Sequence, residues 1–244
     1  MGYEWLVRLV RPMNTTSRIL GEAMTPRQKR IYKDPEKAVA WATKHQQRFP
    51  EAEAAIANDP FWAYSYAKAV LKGRWPEVEE AIAKDPSLAY HYAHGVIGGP
   101  WPEAESVIAT DPKWAYEYAY DVIVGRFPEG EPAIATRPLL AYHYANCVLK
   151  GRFPEAESVI ATDPFSAHNY AKKVIKGRFP EGEPAIAKSG EWALYYAVNV
   201  IKGRFPEAEP AIATDPSWAK EYLREFPQAR LEWVMNGWLD WLDL

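Results

Sequence analysis

The chain has 244 residues, 48% of them hydrophobic and 25% charged, with a formal net charge of -3. These are the values of an ordinary folded protein, and they exclude the strongly basic balance of a dedicated nucleic-acid binder. One cysteine, Cys147, cannot close an intramolecular disulfide, and no run approaches the roughly 20 apolar residues of a membrane span, so a reducing cytoplasm and no membrane are expected.

Residues 1–33 carry no repeat and hold Arg8, Arg11, Arg18, Arg27, Lys29 and Arg30. Arg8 breaks the apolar start and no small-residue cleavage site follows, so the segment reads as an N-terminal cap or an interaction arm, not a signal peptide. Asp34-Pro35, followed by Ala38, Trp41, Ala42 and Arg48-Phe49-Pro50, reads as a degenerate first unit that is one residue short. From there the period is fixed. Arg48, Arg74, Arg126, Arg152, Arg178 and Arg204 fall on one 26-residue register, with Pro100 in the slot of the unit that lacks arginine. A period of this length belongs to units that cannot bury their own apolar faces and must stack on their neighbours. The expected fold is therefore all-α: an α-solenoid of tandem 26-residue two-helix repeats over residues 34–216, between non-repeat caps at 1–33 and 217–244.

Within one unit, Asp111 suits an N-cap and Pro112 a first helical position, since proline has no N–H to leave unsatisfied. Ala115, Tyr118, Ala119, Val122 and Ile123 then form one apolar stripe at helical spacing. Gly125 is expected to end that helix in the left-handed region, as are Gly73, Gly99, Gly151, Gly177 and Gly203 in their units. Pro128 starts a shorter second helix, with Glu129 and Glu131 near its positive end. Pro132, Pro184 and Pro210 predict a bent or delayed start in their units. The alanines Ala63, Ala89, Ala115, Ala141, Ala167 and Ala193 predict close helix contacts. The invariant tyrosines Tyr66, Tyr92, Tyr118, Tyr144, Tyr170, Tyr196 and Tyr222 fit core packing better than a ligand-stacking ladder, because a packing demand repeats in every unit. The neighbouring Tyr64, Tyr90, Tyr116 and Tyr142, giving way to His168 and Leu194, are expected to be only partly buried. Beyond the array, Leu231, Trp233, Val234, Trp238, Trp241 and Leu242 read as a cap over the last apolar face, with a membrane or partner-docking helix as the alternative.

Two patterns are candidates for recognition. The recurring Lys-Gly-Arg places Lys72, Lys150, Lys176 and Lys202 beside Arg74, Arg152, Arg178 and Arg204, with Arg126 on the same register. Stacked about 10 Å apart, they would form a basic ridge able to follow phosphates. Each arginine is followed by Glu at the third and fifth positions, however, and Arg–Glu pairing would consume the charge. The second pattern is a set of columns that vary between units while the scaffold stays fixed. It contains His91, Glu117, His143, Asn169 and Tyr195; His94, Tyr120, Asn146 and Lys172; Asp121 and Lys173; and a fourth column of Phe61, Ser87, Lys113, Leu139, Phe165, Glu191 and Ser217. A mixed polar and aromatic face of this kind suits an extended protein partner. His91 and His94 stand three apart on one helix, yet no third metal ligand is evident. Nucleophile elbows, phosphate loops and zincin motifs are missing from the sequence, so neither an enzyme nor a cofactor is expected.

The unit Ala-Tyr-x-Tyr-Ala-x-x-Val-Ile-x-Gly-Arg-Phe-Pro-Glu-Ala-Glu-x-x-Ile-Ala-x-Asp-Pro resembles short bihelical Ala/Tyr-rich repeats of unknown function from tailed bacteriophages and bacteria, over about residues 34–216. The resemblance implies an α-solenoid, phage-encoded, acting in the bacterial cytoplasm, and no activity. It also suggests an accessory protein that binds and inhibits or redirects a host protein, a defence system included. Nucleic-acid binding through the Lys-Gly-Arg ridge and sequestration of a small molecule or nucleotide are the alternatives. The sequence does not set an oligomeric state.

Overall fold

The computed structural model describes residues 24–239. Among them every regular element is helical, and successive helices pack against their neighbours. A capping box at Thr25 opens the helix Pro26–Ile31, and Asp34 caps the helix Pro35–His45. Further first helices then start at Pro60, Pro86, Pro112, Pro138, Pro164, Gly190 and Pro216. Each is followed by a shorter second helix or turn. Asp59, Asp85, Asp111, Asp163 and Asp215 accept backbone N–H groups of the first turn, as the N-cap reading requires. Each first helix packs on its second helix and on the first helices before and after it. The alanine column is fully buried, which lets these helices approach closely.

The first helices do not end as the glycine column suggests. In the helices that start from Pro60 to Gly190 the last turn and a half widens into a π-helix, for example Ala67–Leu71 and Tyr144–Leu149, whereas Pro216–Glu225 stays α throughout. The left-handed residue that follows is the one before the glycine: Lys72, Gly98, Val124, Lys150, Lys176 and Lys202, with φ between 52° and 74°. In the unit of Ala67, the N–H groups of Lys72 and Gly73 both end on the Ala67 carbonyl. The cause is one extra residue. Between Asp34 and the left-handed Gln46 the helix is α throughout, whereas the path from Asp59 to Lys72 has one residue more and carries the π segment. A single inserted residue is what converts a turn of α-helix into a π-bulge.

Val124 is the costliest of these left-handed residues, because a β-branched side chain crowds its own backbone there. It is also 79% exposed, so little packing is lost on truncation. Val124→Gly is expected to raise stability by about 1 kcal/mol, read as a rise of roughly 2–4 °C in melting temperature.

The proline readings hold. Second helices are full at Pro76–Ile82, Pro102–Ile108 and Pro154–Ile160, but begin only at Glu131, Glu183 and Glu209 in units carrying Pro132, Pro184 and Pro210. Those prolines lack the N–H that would bond four residues back, and their rings clash with that carbonyl. Gly190, standing where other units have proline, leaves room for Trp218. A Cβ built there would lie 2.5 Å from Trp218 Cε3 and 2.6 Å from the Ala211 carbonyl oxygen. Gly190→Ala is therefore expected to cost about 1–3 kcal/mol, measurable as a lowered urea midpoint at unchanged slope.

Trp233 is fully buried and stacks on Tyr222, with ring centroids 5.3 Å apart, and Trp238 packs edge-on against it. Trp241 and Leu242 of the expected C-terminal cap lie outside the described residues, as do residues 1–23 of the expected N-terminal cap or arm. Leu231, Val234 and Met235 remain exposed on the last described helix. No helix among the described residues is long and apolar enough to cross a membrane.

Candidate functional site

Behind the variable face runs a repeated polar staple. All seven invariant tyrosines are fully buried. Each hydroxyl accepts the N–H of the aromatic residue 17 positions earlier and donates to the glutamate 13 positions earlier. For Tyr170 these partners are Phe153 at 2.8 Å and Glu157 at 2.7 Å. The same tyrosine ring then packs on the next aromatic, Tyr170 on Phe179 at 5.4 Å. Each tyrosine therefore joins the start of the second helix before it to the start of the one after it. Burial disfavours the phenolate and raises these hydroxyls, Tyr66 to about 12.

The glutamate of the staple also receives the arginine. Arg74, Arg126, Arg152, Arg178 and Arg204 each bond the fifth residue onward, Glu79, Glu131, Glu157, Glu183 and Glu209, through Nε and Nη2 at 2.6–2.9 Å. Glu79, Glu131, Glu157 and Glu183 are held below the ordinary value of 4.5, first by that arginine and then by the tyrosine hydroxyl. At Glu209 burial pushes the carboxyl up, but Arg204, Trp233 and Tyr222 together outweigh it. The third-position glutamate acts at longer range on the preceding unit: Glu155 on Arg126 and Glu207 on Arg178. Along the proposed ridge, the arginines are thus bonded within the fold. Lys150, Lys176 and Lys202 stand at the exposed left-handed positions.

The variable face lies on the first helices as a band of touching rings and polar groups. His91 stacks on Tyr64 at 6.2 Å and meets Trp114 edge-on at 5.1 Å. His94 stacks on Tyr90 at 5.9 Å, and the Tyr90 hydroxyl donates to Asp121 at 3.0 Å. Tyr120, 48% exposed, stacks on Tyr116, which also faces His143 at 6.3 Å. Glu117 is raised by burial and by Asp121. Asn169 is turned back onto the Phe165 carbonyl, and Lys172 reaches Asn199 at 3.1 Å. Tyr195 packs edge-on against Trp192, itself edge-on to Phe165. Asn146 and Lys173 line a cleft with Lys150, Val174 and Lys176.

In the second tyrosine column Tyr64 and Tyr116 are partly buried as expected, but the other members are more buried than their sequence variability suggests. Tyr90 and Tyr142 are 7% and 2% exposed, and His168 and Leu194 are buried. The cover comes from the next unit: Trp114 stacks over Tyr90 at 5.3 Å and Phe165 meets Tyr142 at 6.3 Å. Trp114, Trp192 and the exposed Phe165 are central to the band. Their columns also vary between units, and that variation was the available signal for Trp114 and Trp192. Among the described residues no three His, Cys, Asp or Glu side chains come close enough to hold a metal ion. What the band offers is aromatic faces and scattered donors over a long surface. The chain matches no protein-family model, no curated protein and no solved structure.

Proposed function

We propose that the chain is a capped α-solenoid of 26-residue two-helix units over residues 34–216, and that it acts by binding a protein along the face of its first helices, without catalysing a reaction. The observation that carries this reading is the exposed aromatic and apolar series Phe61, Tyr120, Leu139, Phe165 and Tyr195, set on a scaffold whose tyrosine, glutamate and arginine columns bond one another. Large rings held rigidly at a surface are the usual anchors of protein interfaces. The helix starts from Pro60 to Pro216, the one-residue-short first stretch and the buried Trp233 support the capped array. A phage-encoded protein that inhibits or redirects a bacterial host protein in the cytoplasm, a defence component included, rests on the sequence resemblance alone.

The test is affinity purification of the tagged chain from a bacterial lysate, with and without nuclease, beside a Tyr120→Ser/Phe165→Ser/Tyr195→Ser variant of matched circular dichroism. The reading expects one protein at near-stoichiometric yield that survives nuclease and is lost with the variant. Recovery that depends on nucleic acid, or that the variant leaves intact, overturns it.

A further inference from the structure

Successive π segments touch, and two clefts open along their junctions. One, of about 210 Å³, is lined by His94, Gly98, Gly99, Asp121 and Val122. Its carboxylate is already engaged by the Tyr90 hydroxyl. The other, of about 230 Å³, repeats the site two units on, with Asn146, Lys150, Lys173, Val174 and Lys176. The architecture is shared and the charge is reversed: three lysines stand where the first cleft has a single aspartate. Among the described residues none of the three forms an ion pair. Lys173 lies over the Tyr142 ring, 5.9 Å from its centroid.

Lys150 and Lys176 follow the C-terminal ends of helices, where the helix dipole favours a cation, so the fold by itself accounts for them. Lys173 is different. Its equivalents are Ala69, Gly95, Asp121, Cys147 and Asn199, and the fold therefore sets no demand for a cation at that position. The positive potential reaches inward as well. His143 is held below its ordinary value by burial and then by Lys173, and the buried His168 by burial and then by Lys172 and Lys173.

We propose that the cleft of Asn146, Lys150, Lys173 and Lys176 binds a multiply charged phosphate group of the kind carried by pyrophosphate and nucleoside triphosphates. Lysine ammoniums act on phosphate as point charges with three rotatable donors, and the Asn146 amide adds a neutral one. The cleft is smaller than the roughly 300–1,000 Å³ of pockets that enclose whole small molecules. It therefore takes the phosphate chain and leaves the remainder of the ligand at the surface. This site does not depend on the protein-binding reading, and either can fail without the other.

The experiment is calorimetric titration of the full chain with inorganic pyrophosphate at about 0.15 M salt, with sulfate at equal ionic strength as control. ATP and AMP are titrated in parallel. The variants are Lys173→Asn, which copies Asn199, and Lys150→Asn/Lys176→Asn, because asparagine tolerates the left-handed backbone. Both should keep the wild-type circular dichroism. The expected result is saturable pyrophosphate binding, with at least tenfold weaker affinity in each variant and in AMP. Equal affinity for ATP and pyrophosphate identifies the phosphate chain as the whole determinant; tighter ATP adds its nucleoside. No saturable heat, heat matched by sulfate, or affinity unchanged in Lys173→Asn overturns the proposal. So does a single-stranded oligonucleotide that binds through these lysines when pyrophosphate does not.

Discussion

Glu209→Ala is expected to cost about 3–5 kcal/mol, and the C-terminal end of the chain is where the loss should appear. Glu209 is 1% exposed and accepts from Arg204 Nε and Nη2, from the Tyr222 hydroxyl and from Trp233 Nε1, all at 2.7–2.8 Å. Among the described residues no other staple glutamate takes an indole donor. Truncation leaves the tyrosine and indole donors buried without an acceptor, and a buried donor stripped of its partner carries its full desolvation penalty. Arg204 keeps Glu232 at 2.6 Å, so the guanidinium is only half orphaned and the cost stays within this range. Glu157→Ala is the comparison. Its arginine side chain, Arg152, is 57% exposed and can turn to water, so the smaller loss is expected there. Urea unfolding followed by tryptophan fluorescence compares the two, and a Glu209→Ala midpoint no lower than that of Glu157→Ala would show that the packing of Trp233 on Tyr222 suffices without the carboxylate.

The same residues show what the sequence could and could not reveal. Burial of the tyrosine column was legible, because the column falls on an apolar stripe. The hydroxyl's role was not read, although phenylalanine would have satisfied packing and never appears in that column. Tyrosine, glutamate and the aromatic at fixed offsets of 13 and 17 residues were the available clue, but those offsets mean nothing until the helices are stacked. The Arg–Glu pairing was legible down to two candidate glutamates, and the turn geometry selects the fifth position, leaving the third to face the preceding unit's arginine. The helix end was misplaced by one residue because glycine normally marks a left-handed cap. Here the π segment puts Lys72 and its equivalents in the left-handed region one position before the glycine. The variable columns fall on the first helices as their spacing implied, whereas burial of Tyr90 and Tyr142 depends on which ring the next unit supplies, a property of pairs of units that no single unit displays.

Acid should weaken the fold in two separable stages, the upper one set by His168. This side chain is 3% exposed, and its Nδ1 has no hydrogen-bond partner. Burial, with Lys172 and Lys173 adding repulsion, lowers it from 6.5 to about 4. The unfolded chain therefore takes up a proton near pH 6.5 that the folded chain refuses until about pH 4. The stability linked to neutral His168 is complete above pH 6.5 and is lost as pH falls toward 4, at up to about 1.4 kcal/mol per pH unit. Over that window the loss is on the order of 3 kcal/mol. The staple glutamates Glu79, Glu131, Glu157, Glu183 and Glu209 act lower. Each is depressed below 4.5 in the folded state, so their contribution is intact above 4.5 and declines only below it. His168→Leu copies Leu194, which is 1% exposed in the equivalent place, and keeps the apolar contact with Trp192 while removing the titrating ring. The variant should flatten most of the slope between pH 6.5 and 4.5 and leave the steeper fall below it. A residual slope comes from His91 and His143, both held below 6.5 chiefly by burial. Urea midpoints collected from pH 7.5 downward at fixed salt test this, and a His168→Leu profile parallel to wild type across the upper window would assign the loss to other groups.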